Sequence, residues 1–198
     1  MKRVALLALL TLGFAPSLTH AFPFYTLLHI LPHTPATDSE AEHTNRLSRP
    51  PSGVDFVLST FDKPIIDSFR EAWQRAANGT SPRESVVLIL KMADGGYSAR
   101  LPNPTNEYKS FTFVWHPATI AIVHTHPNGS RPRPEDGDIT AADKYKVPIF
   151  TITMQGMFVY DPATRKITKV CDGLAWRDDA AWEKIHARLA SHELRSKP

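Results

Sequence analysis

The residues of this chain best suited to hold a metal ion are His124-Thr125-His126-Pro127-Asn128-Gly129, followed by Asp136-Gly137-Asp138. Side chains on an extended segment alternate between its two sides, so histidines two positions apart point the same way and can share one ion. A carboxylate from the next turn or helix start supplies a third ligand. Three protein ligands leave a fourth position for water, which is the arrangement of a catalytic rather than a structural zinc site. The opposing reading is adventitious binding, because histidine pairs also occur in surface loops and His-rich tracts. The preceding Thr119-Ile120-Ala121-Ile122-Val123 argues against a loop, since a short apolar run rich in β-branched residues reads as a buried strand. The pair then stands at that strand's C-terminal end, before the turn residues Pro127-Asn128-Gly129.

A site that activates water also needs a general acid or base beside it. Glu84 is the first choice, because it immediately precedes the apolar run 85–92, where its carboxylate can lean over a metal. Local sequence alone favours reading it as an exposed strand-end carboxylate. Glu107, in a loop between strands, is the second choice.

The elements that must position these groups are readable from periodicity and punctuation. Residues 61–77 form a helix with Ile65, Ile66, Phe69, Trp73 and Ala76 on one face. Asp62 is its N-cap, Pro64 lies in its first turn, and Asn78-Gly79 ends it. A buried strand over 85–92 turns at Asp94-Gly95-Gly96 and returns over 97–101. Residues 102–107 form a loop. Phe111, Phe113 and Trp115 alternate with polar positions, so 109–115 is expected to be a further strand. After the His pair come a short helix over 139–145, strands over 148–153, 157–160 and 166–170, and a final helix to about Leu194. Asp178 or Asp179 caps that helix, with Trp182, Ile185 and Leu189 facing inward. There are no internal repeats. The sum is an α+β domain, with a mixed or mostly antiparallel sheet and helices at both ends of the chain.

The length of 198 residues suits one domain. Residues 1–21 read as a secretory signal peptide: Lys2-Arg3 opens it, 4–14 is apolar, and Thr19-His20-Ala21 is the cleavage site. An uncleaved N-terminal anchor is the alternative. The protein is thus expected to be secreted or periplasmic, without a stable membrane span after cleavage. Net charge is +3, and removing 1–21, which holds two basic residues and no acid, leaves +1. With no basic block, no nucleic-acid partner is indicated. The single cysteine, Cys171, forms no internal disulfide and is either buried or free to pair with another chain. Residues 22–53 read as a Pro-rich leader or linker, and His29, His33 and His43 within it as solvated histidines. Its apolar start, 22–31, can pack on the domain or on a partner. The domain proper is 54–198.

This combination resembles the JAMM/MPN+ metalloprotease family, also called JAB-domain proteins. The family motif is an upstream Glu, then His-x-His, seven residues, Ser, two residues and Asp. The resemblance spans roughly 60–170 and is closest to bacterial JAB-like domains of secreted proteins and polymorphic toxins. It rests on Arg83-Glu84 at a strand start, on His124-Thr125-His126-Pro127, on Asp138-Ile139 at a helix start and on Val147-Pro148 before the next strand. It implies a single JAB/MPN-like, cytidine-deaminase-like domain. It also implies Zn2+ held by His124, His126 and Asp138, with Glu84 as the catalytic acid/base that activates water and shuttles its proton. The bond hydrolysed in the family is an amide, often an isopeptide bond to a lysine side chain. The implied partner is therefore a protein or peptide substrate: an envelope crosslink, a ubiquitin-like tag or a neighbouring cell's protein.

The motif is not intact. In strict register its Ser and Asp positions hold Pro134 and Gly137, and one inserted residue is needed to bring Asp138 into place, with Glu135 then at the Ser position. Asp136 is a rival ligand. The motif Ser is understood to help stabilise the tetrahedral intermediate, and losing one such donor typically slows a reaction by about a hundred- to a thousandfold. Ser130 is a possible replacement. Arg131 and Arg133, alternating with Pro132 and Pro134, form a stiff basic rim that is either a substrate contact or a solvated loop. Two functions follow: a zinc metallopeptidase, or a binding module with a vestigial or structural ion that docks partners through the leader or the Trp115-His116-Pro117 edge. A nucleobase deaminase is disfavoured, because the Pro-Cys-x-x-Cys pair is missing.

Overall fold

The computed structural model describes residues 53–103, 108–109 and 111–195. The signal-peptide and leader expectations for 1–52 and the alternative base Glu107 lie outside the described residues. Six strands form one mixed, mostly antiparallel sheet in the order β2-β1-β3-β4-β5-β6. They are β1 (Val86–Lys91), β2 (Tyr97–Arg100), β3 (Thr119–Thr125), β4 (Ile149–Thr153), β5 (Gly156–Asp161) and β6 (Lys166–Asp172). Among the described residues the α-helices are α1 (Gly53–Ser59), α2 (Lys63–Arg75), α3 (Asp136–Tyr145) and α4 (Asp179–Arg195). The class is α+β, as expected.

Alternation along the strands sorts the core into two layers. Val87, Ile89, Ala121, Val123, Phe150 and Ile152 face α1, α2 and α4, where Phe61, Phe69, Trp73, Trp176 and Trp182 complete an aromatic core. Val86, Leu88, Ile122 and Ile149 face the other way, toward Ala142 of α3 and Tyr160. Helix α2 forms because Asp62 accepts from the Ile65 N–H at 3.1 Å and a proline occupies the first turn, where no intrahelical donor is needed. Its apolar residues recur at helical spacing, so one stripe is buried. On α4, Trp182 and Ile185 are buried and Leu189 is partly buried, as their spacing predicts.

Strands β3 and β4 are parallel neighbours, and α3 is the crossover between them. A crossover helix must run back from the end of one strand to the start of the next. The N-terminus of α3 therefore lies at the C-terminal end of β3, beside the histidine pair. This topology brings Asp138 and the histidines together.

Two expectations need correction. Residues 111–116 are not a strand of the sheet. Phe111, Phe113 and Trp115 do share one half-buried side, but they pack on the α3-side core, over the sheet rather than in it. Helix α3 also starts at Asp136, earlier than the expected 139. Helix α1 was not anticipated.

Candidate metal centre

Glu84, His124 and His126 form a buried group whose ligating atoms all lie within 4.8 Å of one another and which could hold a metal ion. The sheet register explains their meeting. Val86 pairs with His124 in the antiparallel β1–β3 ladder, and two residues further along the same register Glu84 faces His126. All three side chains project from the α3 side of the sheet by the alternation rule. Ser85 and Thr125 lock this register: the Ser85 N–H donates to Thr125 Oγ1 at 2.9 Å, and the Thr125 N–H donates to Ser85 O at 3.0 Å. On its other flank the His126 N–H donates to Ile152 O at 3.2 Å.

The imidazole Nε2 atoms are 2.9 Å apart. Asp138 completes the cluster, with Oδ1 3.1 Å from His124 Nε2 and Oδ2 3.4 Å from His126 Nε2. Ligands about 2.0–2.1 Å from a tetrahedral zinc stand roughly 3.3 Å from one another, a separation near that of the two imidazoles and of each imidazole from one Asp138 oxygen. His126 Nδ1 lies 2.7 Å from Arg131 O. A carbonyl only accepts, so Nδ1 carries the proton and Nε2 of the neutral ring presents its lone pair to the cluster. His124 has no such support: its Nδ1 is buried without a hydrogen-bond partner among the described residues. Its ring is held by the flanking strands and by Phe111, whose ring centroid is 4.7 Å away.

The rivalry between the two aspartates has a structural answer. With Glu135 as N-cap, Asp138 occupies the third helical position, where Oδ2 accepts from the Glu135 N–H at 2.8 Å and the carboxylate turns toward the strand end. Asp136 is exposed and contacts neither histidine.

The electrostatics follow from crowding in a dry site. Burial pushes the Glu84 carboxyl above its ordinary value, and the nearby His124 and His126 only partly offset this. Burial alone would lower His126, but its bonds to Asp138 and to the Arg131 carbonyl, with the charge of Glu84, leave its pKa raised. Burial would raise Asp138, yet the charge of His124 and hydrogen bonds from His124, His126 and the Glu135 N–H hold it well below the usual carboxylate range.

The cluster opens into a cleft of about 840 Å³. Phe111, Thr112 and Phe113 line one side, and Thr140, Ala141, Lys144 and Tyr145 of α3 line the other. Ser130, Arg131 and Glu135 lie at the metal end of the lining, while Arg133 belongs to a separate, smaller hollow. Sequence reasoning missed the supporting groups: Arg131 O, Thr125 Oγ1, and Thr151 Oγ1, which donates to Pro132 O at 2.6 Å and pins the loop. A signal existed for two of them. Thr125 and Thr151 are hydroxyl residues in strands that read as buried, where hydroxyls usually find partners. Cys171 is half-buried and unpaired. No family model, curated protein or solved structure matches this chain.

Proposed function

We propose that this chain is a zinc-dependent hydrolase of amide or isopeptide bonds, built on a JAB/MPN-like domain and acting outside the cytoplasm on a protein or peptide. The observation that carries this reading is the convergence of His124, His126 and Asp138 donors at 2.9–3.4 Å, with the Glu84 carboxylate within 4.8 Å of both imidazoles. Zinc at these three residues would polarise the scissile carbonyl and lower the pKa of water toward about 7. His126, oriented by Arg131 O, and Asp138, held by the Glu135 N–H, would direct their lone pairs at the ion. Glu84, facing His126 across the strands, takes a proton from the attacking water and returns it to the leaving amine. Burial raises its pKa, the direction that favours a carboxyl which must both accept and return a proton. Ser130 lines the cleft and is the hydroxyl available in place of the motif Ser. The N-terminal 21 residues, read as a signal peptide, support a secreted or periplasmic location. Among the described residues no helix is long and apolar enough to cross a membrane.

The test separates metal binding from proton transfer. Glu84→Gln should keep zinc and the fold and lower amide hydrolysis by about a hundredfold or more. His126→Ala should lose the ion. Zinc content and peptide cleavage, measured on both variants, check this. Full activity in Glu84→Gln contradicts it.

A further inference from the structure

The cleft carries mixed charge at its metal end and a single cation, Lys144, at the other. Its acidic lining residues are Glu84, Glu135 and Asp138, all at the metal end. Lys109, Arg131 and Lys144 also line it, all three exposed, and none is in an ion pair among the described residues. Arg131 and Lys109 stand near the acids, through Arg131 O on His126 and the Lys109 N–H on Pro82 O, so a divalent ion there would leave Lys144 as the unpaired cation at the far end of the cleft.

The direction of the cleft is fixed by its walls. Residues 111–115 start over His124, through Phe111, and end on Tyr145, where the Trp115 and Tyr145 rings stack at 4.0 Å with planes 10° apart. Helix α3 runs the same way, from Asp138 at the histidines to Tyr145. Lys144 lies six residues past Asp138, about 9 Å along the helix axis. Its Nζ sits 5.1 Å from the Tyr145 ring centroid, a contact that places the ammonium without neutralising it. An extended peptide advances about 3.3 Å per residue, so a chain leaving the metal centre along this trough reaches Lys144 after roughly three residues.

We propose that the cleft selects acidic peptides, with a carboxylate of the bound chain meeting Lys144 about three residues from the hydrolysed bond. This rests on the hydrolase reading. A peptide fits better than a nucleotide. Phosphate sites converge backbone donors at a helix N-terminus, whereas here that terminus is filled by Asp138 and Lys144 stands at the other end of the helix. Phe111 and Phe113 offer apolar contact to the intervening residues.

The test uses fluorogenic peptides of one neutral sequence, each carrying a single Glu or Gln at successive positions. Zinc-loaded wild type is assayed for cleavage, and Glu84→Gln protein for binding by anisotropy. The Glu peptides should be cleaved with kcat/KM about tenfold above their Gln partners, mostly through KM, best with Glu three residues from the bond. That preference should shrink at 1 M salt, where charges are screened beyond about 3 Å. Lys144→Gln should bring the Glu/Gln ratio close to unity, and Lys144→Glu should invert it. Equal cleavage of Glu and Gln peptides overturns the inference and leaves the hydrolase intact. Selective binding of Glu peptides that depends on Lys144, with no cleavage by wild type, upholds the cleft and overturns the hydrolase. Neither cleavage nor selective binding, or tighter binding of a labelled oligonucleotide than of any Glu peptide, overturns the inference.

Discussion

Asp138 reaches the histidines and Asp136 does not because of where α3 begins. At the first helical position a side chain points to solvent, while at the third it can turn back over the N-terminus, as Asp138 does in accepting from the Glu135 N–H. The spacing left this open, since Gly137 holds the motif position and a one-residue change in loop length, in one direction or the other, brings either aspartate into it. Glu84 and the His pair were legible, because side-chain alternation and strand boundaries settle their side of the sheet. The contact between His126 and Asp138 also has a pH consequence. His126 is raised in the fold, so its contribution to stability is complete below about pH 6.5 and is lost as pH climbs through the folded value. Asp138 is lowered, so its contribution is present above about pH 4 and is lost as pH falls through the folded value. Without metal, the pair therefore stabilises most between those limits. Zinc bound there would have to displace the proton from His126. The zinc-induced rise in Tm should be small at about pH 5.5 and grow toward about pH 7.5, as scanning fluorimetry with and without zinc would show. A zinc effect independent of pH contradicts ligation by these imidazoles.

At the scale of elements, the turn that follows the His pair is braced by the end of α2. The Asn128 N–H donates to Gly79 O at 2.7 Å, and Asn128 Nδ2 donates to Asn78 O at 3.2 Å. Gly79 has φ +78°, and a Cβ there would come within 2.6 Å of both Trp73 and Asn128 Oδ1. Gly79→Ala should cost on the order of 2–4 kcal/mol, from left-handed strain plus overpacking, and should weaken zinc binding as well. Urea denaturation and zinc titration would show it, and a change below about 0.5 kcal/mol would mean that the brace is not under constraint. The Asn78-Gly79 helix stop was readable from the sequence, but its contact with Asn128 joins residues fifty positions apart and leaves no local signal. The strand expected over 109–115 fails for a related reason. Its alternation is real, yet β1 already has β2 on one edge and β3 on the other, so the segment covers the sheet face instead. Helix α1 spans only seven residues, too few to display a period, and is held by burial of Val54, Val57 and Leu58.

For the whole molecule, the two core layers close without an ion. The aromatic layer around Phe61, Trp73 and Trp182 lies on the face opposite the metal centre. Chelation should therefore leave one cooperative unfolding transition. At a hundredfold excess over its Kd, zinc adds about 3 kcal/mol, which is roughly 6–12 °C in Tm for a domain of this size. Loss of the cooperative transition on chelation would make the ion structural and favour a binding module over an enzyme. The most direct measurement is the zinc stoichiometry of wild-type, Asp136→Asn and Asp138→Asn protein by mass spectrometry. A catalytic centre of His124, His126 and Asp138 predicts about one zinc per chain in wild type and Asp136→Asn, lost in Asp138→Asn. No zinc in reconstituted wild type, or full zinc in Asp138→Asn, would contradict it.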